Sequence, residues 1–199
     1  WESLFNGKDL TGWQGAGEGS GYEVREGVLA FLVDGSSPHL FTAKDHKNFQ
    51  LRLDFKIARG ANSGLFLRAD RNSGNPAYSG REVQILDDHH WEEDTKSELK
   101  PWQFSGSIYG SLAPAKKNSL RPNGDWNTMV VTLKGPRMIT VLNGTILYDV
   151  NTEELKPMQG PPFAERAATG FIGLQRHAPG SVDGDAYAWF RNLYLREMP

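Results

Sequence analysis

The sequence contains no cysteine, so disulfides, thiolate metal sites and cysteine nucleophiles are all excluded. No apolar run approaches the about 18 residues that a membrane-spanning helix requires. Charge of one sign is never concentrated either: Lys and Arg total 22 against 24 Asp and Glu, a formal net charge of −2. Nucleic acid and anionic membrane surfaces both call for a concentrated basic face, so neither is expected as a partner. Helical periodicity is scarce, with only "EEDTKSELK" (92–100) offering a turn or two. No glycine-rich phosphate loop precedes a helix, and no serine sits in a nucleophile elbow.

What the chain does have is period-two alternation punctuated by turns. "FQLRLDFKI" (49–57) puts Phe49, Leu51, Leu53, Phe55 and Ile57 on one face and Gln50, Arg52, Asp54 and Lys56 on the other, the pattern of a strand with one buried face. "TMVVTLKGPRMITVLNGTILYDV" reads as three strands joined at "KGPR" (134–137) and at Asn143-Gly144, the latter a strong hairpin signal. Further strands are expected over 22–33 with a break at Glu26-Gly27, and over 39–42, 63–70, 80–90, 169–177 and 187–197. With 22 Gly and 11 Pro, the chain reads as all-β: one domain over residues 1–199, folded as an antiparallel β-sandwich, with a barrel as the other solution. Residues 87–106 form a long excursion between strands, a length that tends to carry function. Trp126 and Trp189 are expected in the core.

Three strands break the ordinary pattern. In "GREVQILDDHH" (80–90), Glu82 and Gln84 share one face while Arg81 and Asp87 lie opposite with Val83 and Ile85. In "ANSGLFLR" (61–68), Asn62, Gly64, Phe66 and Arg68 fall together, and in "GLQRH" (173–177) Gln175 and His177 do. Each could be an ordinary solvated face. Yet amides, Arg, His and Glu are hydrogen-bonding groups of fixed shape, and with Trp91, Trp102 and Tyr109 nearby they suit carbohydrate, whose hydroxyls need paired donors and acceptors.

Ordinary glycoside hydrolysis needs two carboxyl groups, about 5–5.5 Å apart for retention or about 6.5–9.5 Å for inversion. Position 84, on the same face as Glu82, holds Gln, and Asp87 falls on the opposite face unless a bulge intervenes. A carboxylate pair is therefore weakly supported. The five histidines, His39, His46, His89, His90 and His177, lack zinc-ligand spacing, and adjacent residues such as "DDHH" seldom all face one ion. "VDGD" (182–185) reads as a turn.

"SLFNGKDLTGW", "NSGLFLR", "REVQILDD", "GSIYG", "GDWNTMVV", "LNG", "GFIGLQRH" and "FRNLYLRE" occur in this order along nearly the whole chain. Together they resemble the bacterial 3-keto-disaccharide hydrolase family. The resemblance implies a jelly-roll sandwich of the concanavalin A-like lectin and glucanase type, and substrates already oxidised to a ketone at C3. Such a ketone acidifies the C2 hydrogen, so one base can drive elimination at C1, and water then adds. On this reading Glu82 or His177 is the base, with the other as acid or orienting partner. Arg68 and Gln84 would hold the keto or enolate oxygen, and Gln175, Asn62 and Tyr109 the remaining hydroxyls, with Trp102 as a further sugar contact. No cofactor is required, though a divalent metal in the place of Arg68 stays open. Because the family is often exported and this chain starts at Trp1, a removed leader and a periplasmic or extracellular location are expected. A non-catalytic carbohydrate-binding module using the same face is the alternative.

Overall fold

A computed structural model describes residues 1–15, 21–36 and 38–199. Among them the alternation resolves into thirteen strands, all paired antiparallel. In chain order these are β1 (Glu2–Ser3), β2 (Trp13–Gln14), β3 (Tyr22–Arg25), β4 (Val28–Leu32), β5 (Leu40–Thr42), β6 (Phe49–Ile57) and β7 (Asn62–Ala69). There follow β8 (Arg81–Leu86), β9 (Asn127–Lys134), β10 (Arg137–Leu142), β11 (Thr145–Asn151), β12 (Phe171–Arg176) and β13 (Ala186–Glu197). The larger sheet has the order β11-β10-β9-β6-β13-β4-β3, with β1 added beside the end of β13. The smaller has the order β2-β5-β12-β7-β8.

The core lies between the sheets. Leu51, Leu53 and Phe55 of β6 meet Leu65 and Leu67 of β7, Val83 and Ile85 of β8, and Ile172 and Leu174 of β12, each no more than 1% exposed. Turn chemistry holds the register. Glu26-Gly27 and Asn143-Gly144 both have positive φ at each residue, the conformation a two-residue hairpin demands.

Two local irregularities redirect side chains that strict alternation would have placed elsewhere. Between Leu67 and Ala69 the register against β12 slips by one residue, and Arg68 takes φ 49°. Near the end of β13 a second slip, with Asn192 at φ 53°, turns Leu193 into the core while Arg191 stays on the outer face. The expectation of core positions for Trp126 and Trp189 is corrected as well. Both are half-buried on the outer face of the larger sheet, where the Lys56 ammonium lies over both rings and the Arg191 guanidinium 3.9 Å from the Trp126 centroid. Large rings with cations above them gain from the ring quadrupole while the charge stays hydrated.

Strand β8 is the last strand of its sheet, and its free edge is not left open. The returning excursion lies along it: Gln84 N–H donates to Ser107 O at 3.1 Å, Gly106 N–H to Gln84 O at 2.8 Å, and Tyr109 N–H to Glu82 O at 2.9 Å. Ser105 Oγ accepts from Leu86 N–H at 2.9 Å and donates to Leu86 O at 2.8 Å. An otherwise exposed row of backbone groups is thereby satisfied. Ser105→Ala leaves the buried Leu86 N–H and C=O without these partners; a loss of about 1–3 kcal/mol is expected, read as a lower urea midpoint at unchanged slope.

Candidate functional site

The excursion does more than close an edge. Helix α1 (Pro76–Ser79), helix α2 (Trp91–Thr95) and residues 101–109 rise around the outer face of β7, β8 and β12 and enclose a cavity of about 200 Å³. That is smaller than the roughly 300–1,000 Å³ of drug-sized sites and suits a single ring. Glu82 and Gln84 form its floor, each 4% exposed. Asn62 and Gln175 line it from the neighbouring strands, His177 from just past the end of β12, and Tyr109, Gln103, Tyr78, Asn75 and Trp91 from the excursions. All six residues of β8 are buried, because one face meets the core and the other this cavity and its roof.

Glu82 is held closely. Gln175 Nε2 donates to Glu82 Oε1 at 2.9 Å, while Gln175 Oε1 is buried without a partner among the described residues. Gly64 lies beside the carboxyl: a Cβ there would sit 2.5 Å from Glu82 Oε1, so only glycine leaves the carboxyl its place. Burial pushes the Glu82 carboxyl up to about 8, against which the Gln175 hydrogen bond is a smaller, opposing effect. Gln84 Oε1 accepts from Ile85 N–H at 3.2 Å, which occupies the carbonyl end of that amide and leaves the NH₂ end to donate. Burial first, and then the charge of Glu82, raise the Tyr109 phenol.

His177 is exposed at the rim, with Nδ1 2.9 Å from Ala178 O. Beside it His39, edge-on to Phe66 at 4.9 Å, accepts from Arg176 N–H through Nδ1. Desolvation and the neighbouring His177 hold His39 below the usual histidine range.

Of the residues expected at a site, Glu82, Gln84, Gln175, Asn62, Tyr109 and His177 converge on this cavity. Trp102 stands one layer back, edge-to-face with Tyr109 at 5.2 Å, and supports that ring rather than lining the cavity. Arg68 is corrected outright. The slip at its position sends the side chain between the sheets, 2% exposed, where it donates to the carbonyls of Lys47, Gly135 (2.7 Å) and Leu133 (3.3 Å). With its donors on those carbonyls, Arg68 makes no ion pair with Glu82. Asn75, Tyr78 and Gln103 were not anticipated. Asn75-Pro76 was a legible start signal for α1, since Asn75 Oδ1 accepts from Ala77 N–H and Pro76 opens the helix. Gln103 carried no such signal.

Among the described residues no second carboxylate joins Glu82 in the cavity. Asp87, 1% exposed, accepts from Gly60 N–H at 2.9 Å and faces His90, and Asp88 accepts from Ser105 N–H at 2.9 Å. Neither lines the cavity, so among the described residues Glu82 is its one carboxylate. Among those residues, too, no group of three or more His, Asp or Glu side chains is placed to share a metal ion.

Two packed antiparallel sheets with an amide-rich cavity on the outer face of the smaller define a sandwich of the lectin and glucanase class. Within that class the chain belongs to the 3-keto-alpha-glucoside-1,2-lyase-like domain family, whose profile matches residues 1–196. It is 28% identical over 243 aligned residues to a Bacteroides thetaiotaomicron protein named 3-keto-disaccharide hydrolase, covering 98% of this chain and 78% of the relative. A Parabacteroides distasonis crystal structure, provisionally described as a glycosyl hydrolase, superposes with a TM-score of 0.82 at 28% identity, covering 100% of this chain and 99% of that one. A Bacillus licheniformis β-glucanase shares the jelly-roll fold, with a TM-score of 0.56 at 13% identity over 99% of this chain and 97% of its own.

The raised Glu82 pKa makes a stability prediction. Between its ordinary value of 4.5 and about 8, the folded chain holds a proton that the unfolded chain has lost. The stability contributed by this group is thus complete below about pH 4.5 and falls as pH rises through 8. Glu82→Gln removes the penalty, so its Tm should match the wild type at pH 4 and exceed it by at least ~2 °C at pH 8.5, as read by calorimetry.

Proposed function

We propose that this chain is a glycoside-cleaving hydrolase acting on sugars oxidised to a ketone at C3, with Glu82 as the general base. The observation that carries this reading is the lone carboxylate in an amide-lined cavity. Direct hydrolysis of a glycoside needs two carboxyl groups, whereas elimination beside a ketone needs one base and donors for an enolate. Family membership and the name of the Bacteroides relative support the same substrate class.

The Glu82 carboxylate takes the proton from C2. The C–H electron pair forms a C2=C3 bond, and the negative charge passes to the oxygen on C3. The amides of Gln84 and Asn62 donate to that oxygen, the first of them already held by the Ile85 N–H, and donors fixed in advance act most strongly. The charge then returns to restore the ketone, C1=C2 forms, and the C1–O bond breaks. His177, at the rim, protonates the departing oxygen. Water adds its hydroxyl to C1 and its proton to C2, completing net hydrolysis. Gln175 orients Glu82, and Trp91, Tyr78 and Tyr109 offer ring faces to the sugar.

A carboxyl pushed up to about 8 is a stronger base than an ordinary glutamate, and its pKa lies near the operating pH. The test is turnover of a 3-keto-glucoside beside its unoxidised parent. Cleavage of the keto compound alone is expected, with kcat/KM rising about tenfold per pH unit below 8 and flattening above it. Glu82→Gln should lower kcat by roughly 10²–10⁴ while the sugar still binds. Equal cleavage of both compounds, or binding without cleavage of either, would overturn the proposal. Loss of turnover in EDTA would add a metal to the enolate-holding groups.

A further inference from the structure

Arg81 and Glu82 are consecutive on β8 and so point to opposite faces. Behind the strand, where Arg81 points, three guanidiniums gather at the end of the sandwich. Arg68, Arg81 and Arg166 are 2%, 3% and 8% exposed, and among the described residues none has a carboxylate within salt-bridge distance. Arg68 and Arg166 are held mainly by backbone carbonyls: those of Gly135 and Leu133 for the first, and of Pro161, Gln159, Ala77 and Gly80 for the second. A carbonyl satisfies a donor and leaves the charge in place.

Arg81 is less well served. Its Nη2 reaches Thr152 Oγ1 and Phe163 O only at 3.4 and 3.3 Å, and its Nε and Nη1 are buried with no partner among the described residues. Buried donors on a charged group are normally paired. All three arginines line a cavity of about 150 Å³ whose rim includes the exposed Lys47, Ala164, Ala168 and Glu153. Glu153 is the single acid among the lining residues. Burial, with the charge of Arg81 as the second cause, lowers both Arg68 and Arg166 to about 10, which registers the same excess of positive charge.

We propose that this second cavity binds a small oxyanion, with Arg81 as its charged contact and Lys47 at its entrance. Phosphate, sulfate and carboxylate share the chemistry required: negative charge and several acceptors in little volume. The site is separate from the Glu82 cavity, with different lining residues and the thickness of the sheet between them.

The test is the Tm of the whole chain during titration with sodium phosphate, sulfate or acetate, with chloride holding ionic strength constant. At least one oxyanion should raise Tm along a saturating curve. Phosphate or sulfate ahead of acetate would identify a phosphoryl or sulfuryl ligand, and the reverse order a carboxylate. Arg81→Gln should abolish the saturating part. Should that variant not fold, the exposed rim decides. Glu153→Gln removes the competing acid and should lower the half-saturating concentration several-fold, and Lys47→Gln should raise it several-fold. No saturating response beyond chloride, or a response that neither rim change moves, would overturn the proposal.

Discussion

The pairing of residues 105–109 with the free edge of β8 is the constraint on which the functional part of this molecule depends. Without it β8 would be an ordinary edge strand, with its outer face in water and Glu82 solvated. With it, the excursion is anchored by backbone hydrogen bonds to Glu82, Gln84 and Leu86, and Tyr109 and Gln103 are delivered to the wall of the cavity. Leu86 gains Leu99, Phe104 and Trp91 as packing partners on the outer side. The same contacts that protect an edge from unwanted pairing therefore desolvate the Glu82 carboxyl.

The displacement of Arg68 complements this burial. Kept in strict alternation, its guanidinium would share the outer face with Glu82, and an ion pair would pull the carboxyl toward a low pKa. One extra residue in the pairing of β7 with β12 sends the cation through the sheet. Glu82 is left among amides and rings, which can hold it without stabilising its charge strongly. The cavity on the outer face of the smaller sheet becomes a hydrogen-bonding surface with one acid, and positive charge collects behind it around Arg81. The two cavities are products of one segregation of charge across a single sheet.

The shared fold with a β-glucanase shows how little architecture says about chemistry. Both chains pack two antiparallel sheets, yet here the position two residues after Glu82 is an amide, and Asp87 and Asp88 are tied to backbone N–H groups beyond the cavity. In the proposed reaction the substrate's ketone takes the place of the missing carboxylate, because it makes a C–H bond acidic enough for one base to break.

Much of this was decided locally and so was legible in the chain. Alternation at 49–57 and the Asn143-Gly144 turn specify strands and a hairpin because side-chain period and turn conformation depend on near neighbours alone. The grouping of Glu82 and Gln84 on one face follows from the same period, and Asn62, Gln175 and His177 share it on their own strands. Tertiary structure decided the rest. Whether Arg68 stays in register depends on its pairing with β12, about a hundred residues later, and on carbonyls at 133 and 135 that compete for its donors. Trp126 and Trp189 lie outside because Lys56 and Arg191 meet them there. Burial of Glu82, and with it the raised pKa of its carboxyl, depends on an excursion folding back over the sheet. Such properties belong to distant parts brought together, and no window of sequence contains them.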